Sequence, residues 1–315
     1  MRARVRAGEV DLPRSQVGPN PQHLLTTILG EYLDSSEADL PSAAVVAVLR
    51  EFDITEASAR AALSRLTRRG LVAARRPGRP TVYHLTPQAI AMHRSRMNQF
   101  LTFGARPRAW SGDWTVVTFS LAESHQARQA GQAQRHDIRR TLGALGFVRL
   151  YDSMWIKPGR DLADAARAMR EVLGDAAQGR WSVMSARFHE EDGPHGPAAA
   201  YDLAGLAEAY TDFIDRYSPL LASVRGRTIG GAEALIARTS VMDSWRVFAV
   251  TDPDLPEHLL PARWPRRAAR ELFLEIHTAL GPLAEARLIE IVAPFWPDAA
   301  AWITHFQAGD DATFD

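Results

Sequence analysis

The stretch "LSRLTRRGLVAARRPGRPTVYHLT", residues 63–86, joins the end of one amphipathic helix to two short strand-like runs. Upstream, Thr55 can cap a helix over 56–69, with Glu56 in its first turn, where a carboxylate suits the helix dipole. At helical spacing Ala59, Ala62, Leu63 and Leu66 share an inward face. Arg60, Ser64 and Arg68 fall four apart on the outward face, flanked by Ala57, Ala61 and Arg65. Gly70 suits the left-handed residue that closes such a helix. Beyond it, "LVAARR" and "TVYHLT" read as strands, and the Pro and Gly of "PGRP" mark a turn between them.

Two more helices precede this one. "PQHLLTTILGEYL" sets Leu24, Leu25, Ile28, Leu29, Tyr32 and Leu33 on one face, and "PSAAVVAVLREF" repeats the pattern with Val45, Val48, Leu49 and Phe52. Three helices and then a hairpin is the order of a winged helix-turn-helix, predicted here over residues 21–86 after an arm, residues 1–20, with little to bury and expected to be disordered. Double-stranded DNA is the expected partner. Small residues among Arg and Ser let the third helix approach a groove, so Arg60, Ser64, Arg65, Arg68 and Arg69 are the candidates there. Arg75, Arg76, Arg79, Thr81 and Tyr83 are the candidates on the wing.

Charge supports the same reading. The chain holds 37 basic and 37 acidic residues, yet residues 1–112 carry 16 Arg against nine acids, and residues 201–315 carry 10 Arg against 17. From Ala57 to Gly112 there are eleven Arg and no acid. A solvated basic face usually interleaves Glu with its Arg, so this asymmetry points to a polyanion facing the N-terminal module. All basic residues but Lys157 are Arg along the whole chain, a bias of coding more than of function. The absence of cysteine excludes thiol nucleophiles, Cys-bound zinc and disulfides. No apolar run is long enough for a bilayer and "MRARVRAGEV" has no apolar targeting core, so a cytoplasmic protein without a membrane partner is expected.

Downstream, "TPQAIAMHRSRMNQFLTFG" begins a helix with Pro in its first turn, a connector over residues 87–112 with Ile90, Met97, Phe100 and Leu101 as an apolar stripe. Residues 113–190 then read as strand "WTVVTFSL", helix, hairpin "FVRLYDSMWIKP", helix "DLADAARAMREVLG" and strand "RWSVMSARF". That βαββαβ order predicts a ferredoxin-like domain. Residues 191–200 read as a linker. "HEEDGPHGP" brings His189, Glu190, Asp192 and His195 close in sequence, but no helix or strand fixes their spacing, so it reads as an acidic linker and not a metal site. Residues 201–315 are expected to form a mostly helical, acidic domain, with "DPDLPEHLLPARWP" wrapping its surface and tucking in Leu259, Leu260 and Trp264. The predicted fold class is therefore α+β and multidomain.

These segments together resemble the PaaX family of transcriptional regulators. The N-terminal match is "SRLTRRGLV" with the Arg-rich wing and "YHLT"; the middle match is "WTVVTFSL", "IRRTLGALGF" and "MWIKP". At the end "YDLAGL", "YTDFIDRYSPLL", "DPDLPEHLLPARWP" and "ARELFLEIH" match, so the resemblance runs from about residue 22 to 290. It implies a winged helix, a central ferredoxin-like domain related to small CRISPR-associated nucleases, and a C-terminal helical domain. It further implies a homodimeric repressor of a catabolic operon, bound to an inverted-repeat operator and released by an acyl-CoA thioester such as phenylacetyl-CoA. Arg225, Arg227, Trp245 and Arg246 are candidates for the effector's phosphates and acyl group.

Two other classes compete with this one. The related nucleases use an acidic residue near the end of the first strand, where "VVTFSL" offers Phe119 and Ser120, so metal-dependent cleavage lacks its ligand. No Ser/His/Asp arrangement, P-loop, Rossmann fingerprint or HExxH occurs, so no catalytic residue, metal or cofactor is expected. A constitutive architectural DNA binder needs no effector, and leaves the acidic C-terminal region without a role.

Overall fold

The computed structural model describes residues 20–75, 81–106, 110–121, 128–173, 179–189 and 196–307. It is mixed α+β and, among the described residues, holds nine α-helices and two small sheets. Contacts divide it into two compact units. One comprises residues 106–208 and 251–264; the other comprises the N-terminal region to Ala105, residues 209–250 and the chain from Pro265.

The second unit begins with α1, Pro21–Tyr32, whose first turn is capped by Asn20: its Oδ1 accepts from the amides of Gln22 and His23. Strand β1, Leu40–Pro41, leads into α2, Ser42–Arg50. Asp53, at a φ of 57°, takes the left-handed turn before α3, Glu56–Arg68. Thr55 Oγ1 accepts from Ser58 N, and Gly70 leaves α3 at a φ of 69°. Strands β2, Val72–Arg75, and β3, Val82–Leu85, pair antiparallel, and β1 adds to the far side of β3. Helix α4, Pro87–Thr102, starts on Thr86, whose Oγ1 accepts from Ala89 N.

The core of this unit crosses the boundary expected from the sequence. Leu25, Ile28, Leu49, Leu63 and Leu66 of the first three helices pack in one cluster with Leu288, Val292, Trp296 and Ile303 from the end of the chain. The later helices are α7, Leu203–Arg225, whose residues from Ala209 belong here; α8, Gly231–Thr251; and α9, Arg266–Val292. Their aromatic core centres on Trp245, stacked on Phe273 at 4.9 Å, while Tyr210 stacks on Phe248 at 4.1 Å. Helix α4 is tied into the same unit: the carbonyls of Phe100, Leu101 and Phe103 accept from Trp245 and Arg270.

The other unit is a four-stranded antiparallel sheet, β4 (Trp114–Leu121), β5 (Val148–Tyr151), β6 (Met154–Pro158) and β7 (Gly179–Ala186), in the order β5-β6-β4-β7. Helices α5, Arg128–Ala144, and α6, Leu162–Leu173, interrupt the strands in sequence and pack on one face through Ile138, Leu142, Ala165 and Met169. Alternate residues of β4 point to opposite faces. Val117, Phe119 and Leu121 meet these helices, whereas Trp114 and Val116 meet Ala198, Leu255 and Leu259. The Pro-rich run 252–265 was expected on the C-terminal helices. It instead covers this sheet with Leu255 and Leu259 buried, while Leu260 and Trp264 stay half-buried. Its prolines have no amide to pair, and its irregular backbone, with one short 3-10 turn at Glu257–Leu259, leaves the packing to its apolar side chains.

Candidate nucleic-acid interface

Helix α3 is amphipathic in the sense its sequence requires. Ala59, Ala62, Leu63 and Leu66 are buried, and Ala57, Arg60, Ala61, Ser64 and Arg68 are exposed. Two small side chains between arginines leave the helix backbone open to close approach by a groove wall. Arg69 is exposed at the C-cap.

The acid-free run is partly neutralised by acids that precede it in sequence. Arg60 donates through Nε and NH2 to Glu56 Oε1, at 3.0 and 2.7 Å, while Arg50 holds Oε2 at 3.2 Å. Arg60 is the main reason the Glu56 carboxyl lies below its ordinary range. Asp39 pairs with Arg75, and Asp34 with Arg94. Arg68 and Arg69 form no ion pair among the described residues, and Arg65 forms only a hydrogen bond, from Nε to Gln22 Oε1 at 3.2 Å. Among the described residues of the run, the arginines without an ion pair are therefore Arg65, Arg68 and Arg69 at the C-terminal half of α3, Arg96 of α4, and Arg106.

The remaining wing candidates divide. Arg76 and Arg79 lie outside the described residues. Arg75 is exposed at the end of β2. Thr81 accepts Ser42 N with its carbonyl. Tyr83 sits half-buried against the core, paired in register with Leu40 on one side and Ala74 on the other. His189 is exposed, and the rest of the candidate metal segment, 190–195, lies outside the described residues.

Three of the four effector candidates are engaged with other partners. Trp245 is wholly buried and donates its indole N–H to Phe100 O at 2.8 Å, so it is a core residue. Arg225 clamps Glu275 through two hydrogen bonds of 2.6 and 2.7 Å. Arg246 binds Asp243 at 3.1 Å, and Arg227 takes a left-handed turn at a φ of 54°. A cavity of about 470 Å³ in the other unit is lined by Tyr201, Asp202, Leu203, His258 and Leu259. Among the described residues its lining carries one carboxylate, Asp202, one imidazole, His258, and no arginine.

The sequence reading missed a buried ionic node that holds α1 against α8 and α9. Arg238 is 0% exposed, Glu31 1% and His277 2%. Arg238 donates NH1 to Glu31 Oε2 at 3.0 Å, Nε to His277 O at 3.0 Å and NH2 to Phe306 O at 2.9 Å. His277 Nε2 lies 3.1 Å from Glu31 Oε1. Burial, reinforced by Arg238, pushes the His277 imidazole pKa down, so the neutral ring donates Nε2–H to the carboxylate. Thr27 Oγ1 bonds Asp243 of α8 at 3.1 Å on the same helix. Periodicity could have flagged Glu31, which follows the apolar face of α1 yet carries a charge.

With this geometry in view, comparisons place the chain. Residues 20–89 match the description "PaaX-like protein", residues 107–195 "PaaX protein central Cas2-like domain" and residues 201–289 "PaaX-like protein C-terminal domain". The chain belongs to the PaaX family. It is similar to the transcriptional repressor PaaX of Escherichia coli strain K12, 24% identical over 275 residues, covering 85% of this chain and 82% of that protein. Among solved structures it is similar to protein Rv0674 of Mycobacterium tuberculosis, with 22% identity and a TM-score of 0.48, covering 85% of this chain and 98% of that one.

Proposed function

We propose that this PaaX-family chain is a DNA-binding transcriptional repressor. In this reading α2, the turn at Asp53 and α3 form a helix-turn-helix, and β2–β3 is its wing. The observation that carries it is the exposed face of α3, where Ala57, Ala61 and Ser64 lie among Arg60 and Arg68 with Arg65 at the flank. Arg65, Arg68 and Arg69 are the principal groove contacts, and Arg75, Arg76 and Arg79 reach phosphates or the minor groove. The antiparallel order β5-β6-β4-β7 with two helices on one face supports a ferredoxin-like central domain. The family resemblance implies a homodimer on an inverted repeat, which would place two copies of α3 in successive major grooves. It also supports release by an acyl-CoA thioester, and a cytoplasmic protein without catalytic activity.

Measuring operator affinity against salt tests the interface. Arg68→Ala should lower the slope of log K against log salt by about 0.9 if Arg68 neutralises a phosphate. If it reads a base, the variant should lose about 1–3 kcal/mol at one base pair. An unchanged affinity and slope would remove α3 from the interface. Titrating acyl-CoA thioesters against the operator complex tests release, and a complex indifferent to all of them would favour a constitutive binder.

A further inference from the structure

Arg65 differs from the other arginines of α3 in having a fixed partner outside its own helix. Its Nε–H donates 3.2 Å to Gln22 Oε1, in the first turn of α1, 43 residues away in sequence. An arginine nitrogen can only donate, so the atom it meets must be the amide oxygen of Gln22. The base of that contact is itself held. Asn20 Oδ1 accepts Gln22 N at 3.1 Å, and Gln22 O accepts Thr26 Oγ1 at 2.8 Å, so the first turn of α1 is capped and tied. Arg65 is half-buried, and its NH1 and NH2 make no hydrogen bond among the described residues.

We infer that Gln22 is a positioning residue for sequence reading by Arg65. It rests on the DNA-binding reading of α3. A guanidinium offers five donors in a planar fork, and it recognises guanine O6 and N7 when two of them arrive together in the right plane. A free arginine must give up rotamer freedom to reach that geometry. Holding Nε on an amide oxygen fixes the plane beforehand and leaves NH1 and NH2 to meet the base. A neutral amide suits this place. Arg60 shows the contrast, since Glu56 binds its Nε and NH2 together and competes as an anion with any phosphate. The α1 residue does not read DNA in this scheme; it decides how well Arg65 discriminates.

The test uses the full-length protein and duplexes selected by it from random-sequence DNA, with a shuffled duplex as the non-specific reference. Gln22→Met removes the acceptor at similar length, and should reduce the ratio of selected to shuffled affinity by about three- to tenfold, the scale of one net hydrogen bond. Gln22→Glu offers an anion that can take Nε and NH2 together, as Glu56 does on Arg60, so it too should lower the ratio. In an Arg65→Ala background Gln22→Met should have no further effect. The inference is overturned if Gln22→Met weakens both duplexes equally, or if its effect persists without Arg65. Failure of the parent to enrich any sequence would instead overturn the DNA-binding reading itself.

Discussion

Arg68 and Arg238 are one residue type in opposite circumstances. Arg68 stands in water on α3 with no ion pair among the described residues. Arg238 is wholly enclosed and all three of its nitrogens are bonded, with the ring of Tyr32 5.0 Å from its guanidinium carbon. An exposed guanidinium costs little to hold and remains available to a phosphate. A buried one loses its hydration, and persists only where every donor finds an acceptor. The difference separates a surface kept open for a partner from a joint that is already made. It also shows why the joint matters to the surface: α1 carries Gln22 against α3 and Glu31 against Arg238, so the reading helix and the C-terminal helices share one support.

The comparison breaks most readily at the joint. Arg238→Ala should leave Glu31 buried without its cation and lower stability by about 3–5 kcal/mol, measured by urea unfolding. Replacing both partners, Arg238→Met with Glu31→Met, should recover much of that loss, because two apolar groups do not need each other's charge. If the double variant were as unstable as the single one, packing and backbone contacts, and not the ion pair, would govern the joint.

A second buried group in the same unit gives a pH-dependent effect. His93 of α4 packs against α1 beside Gly30, where a Cβ would stand 3.4 Å from His93 Cγ. Both ring nitrogens are buried without a hydrogen-bond partner among the described residues. Burial, with Arg96 adding to it and Asp34 opposing, lowers its pKa to about 4. The unfolded chain titrates near 6.5, so between these values the unfolded state holds more protons, and stability is lost as pH falls from about 6.5 toward 4. The loss from His93 should reach at most roughly 3 kcal/mol, at about 1.4 kcal/mol per unit. His277 shifts in the same direction, so His93→Leu should flatten the fall in urea midpoint across that window without abolishing it. A variant with the parent's pH profile would remove His93 from the acid response.

The smallest expected effect lies on the surface side. Glu56→Gln should release Arg60 and Arg50, raising affinity for shuffled and operator DNA together and steepening the salt slope by about one contact's worth. Slopes measured by fluorescence anisotropy on both duplexes check it. A change confined to the operator would mean that Glu56 shapes recognition and does more than shield charge.

Much of the local structure was legible because its causes are local. Thr55 before Glu56, Thr86 before Pro87 and Gly70 after Arg69 are cap chemistries written within a few residues, and the helices begin and end on them. The outward set Arg60, Ser64 and Arg68 followed from the spacing of Ala59, Ala62, Leu63 and Leu66. Other features were hidden by distance along the chain. Nothing near Asp39 announces Arg75, and nothing near Trp245 separates a core indole from a ligand-facing one.

By itself the sequence determined where the helices of the N-terminal region run, which face of α3 meets water, and where charge accumulates along the chain. Periodicity and capping depend on neighbours within one or two turns, so those features follow from adjacent residues. Only the tertiary structure decided which charges remain unneutralised and that the N-terminal helices share a core with the end of the chain. It alone set the partners of Arg238, which lie 207 residues away at Glu31 and 39 away at His277. Burial and pairing are properties of a place in three dimensions, and residues so far apart acquire them only when packing brings them together.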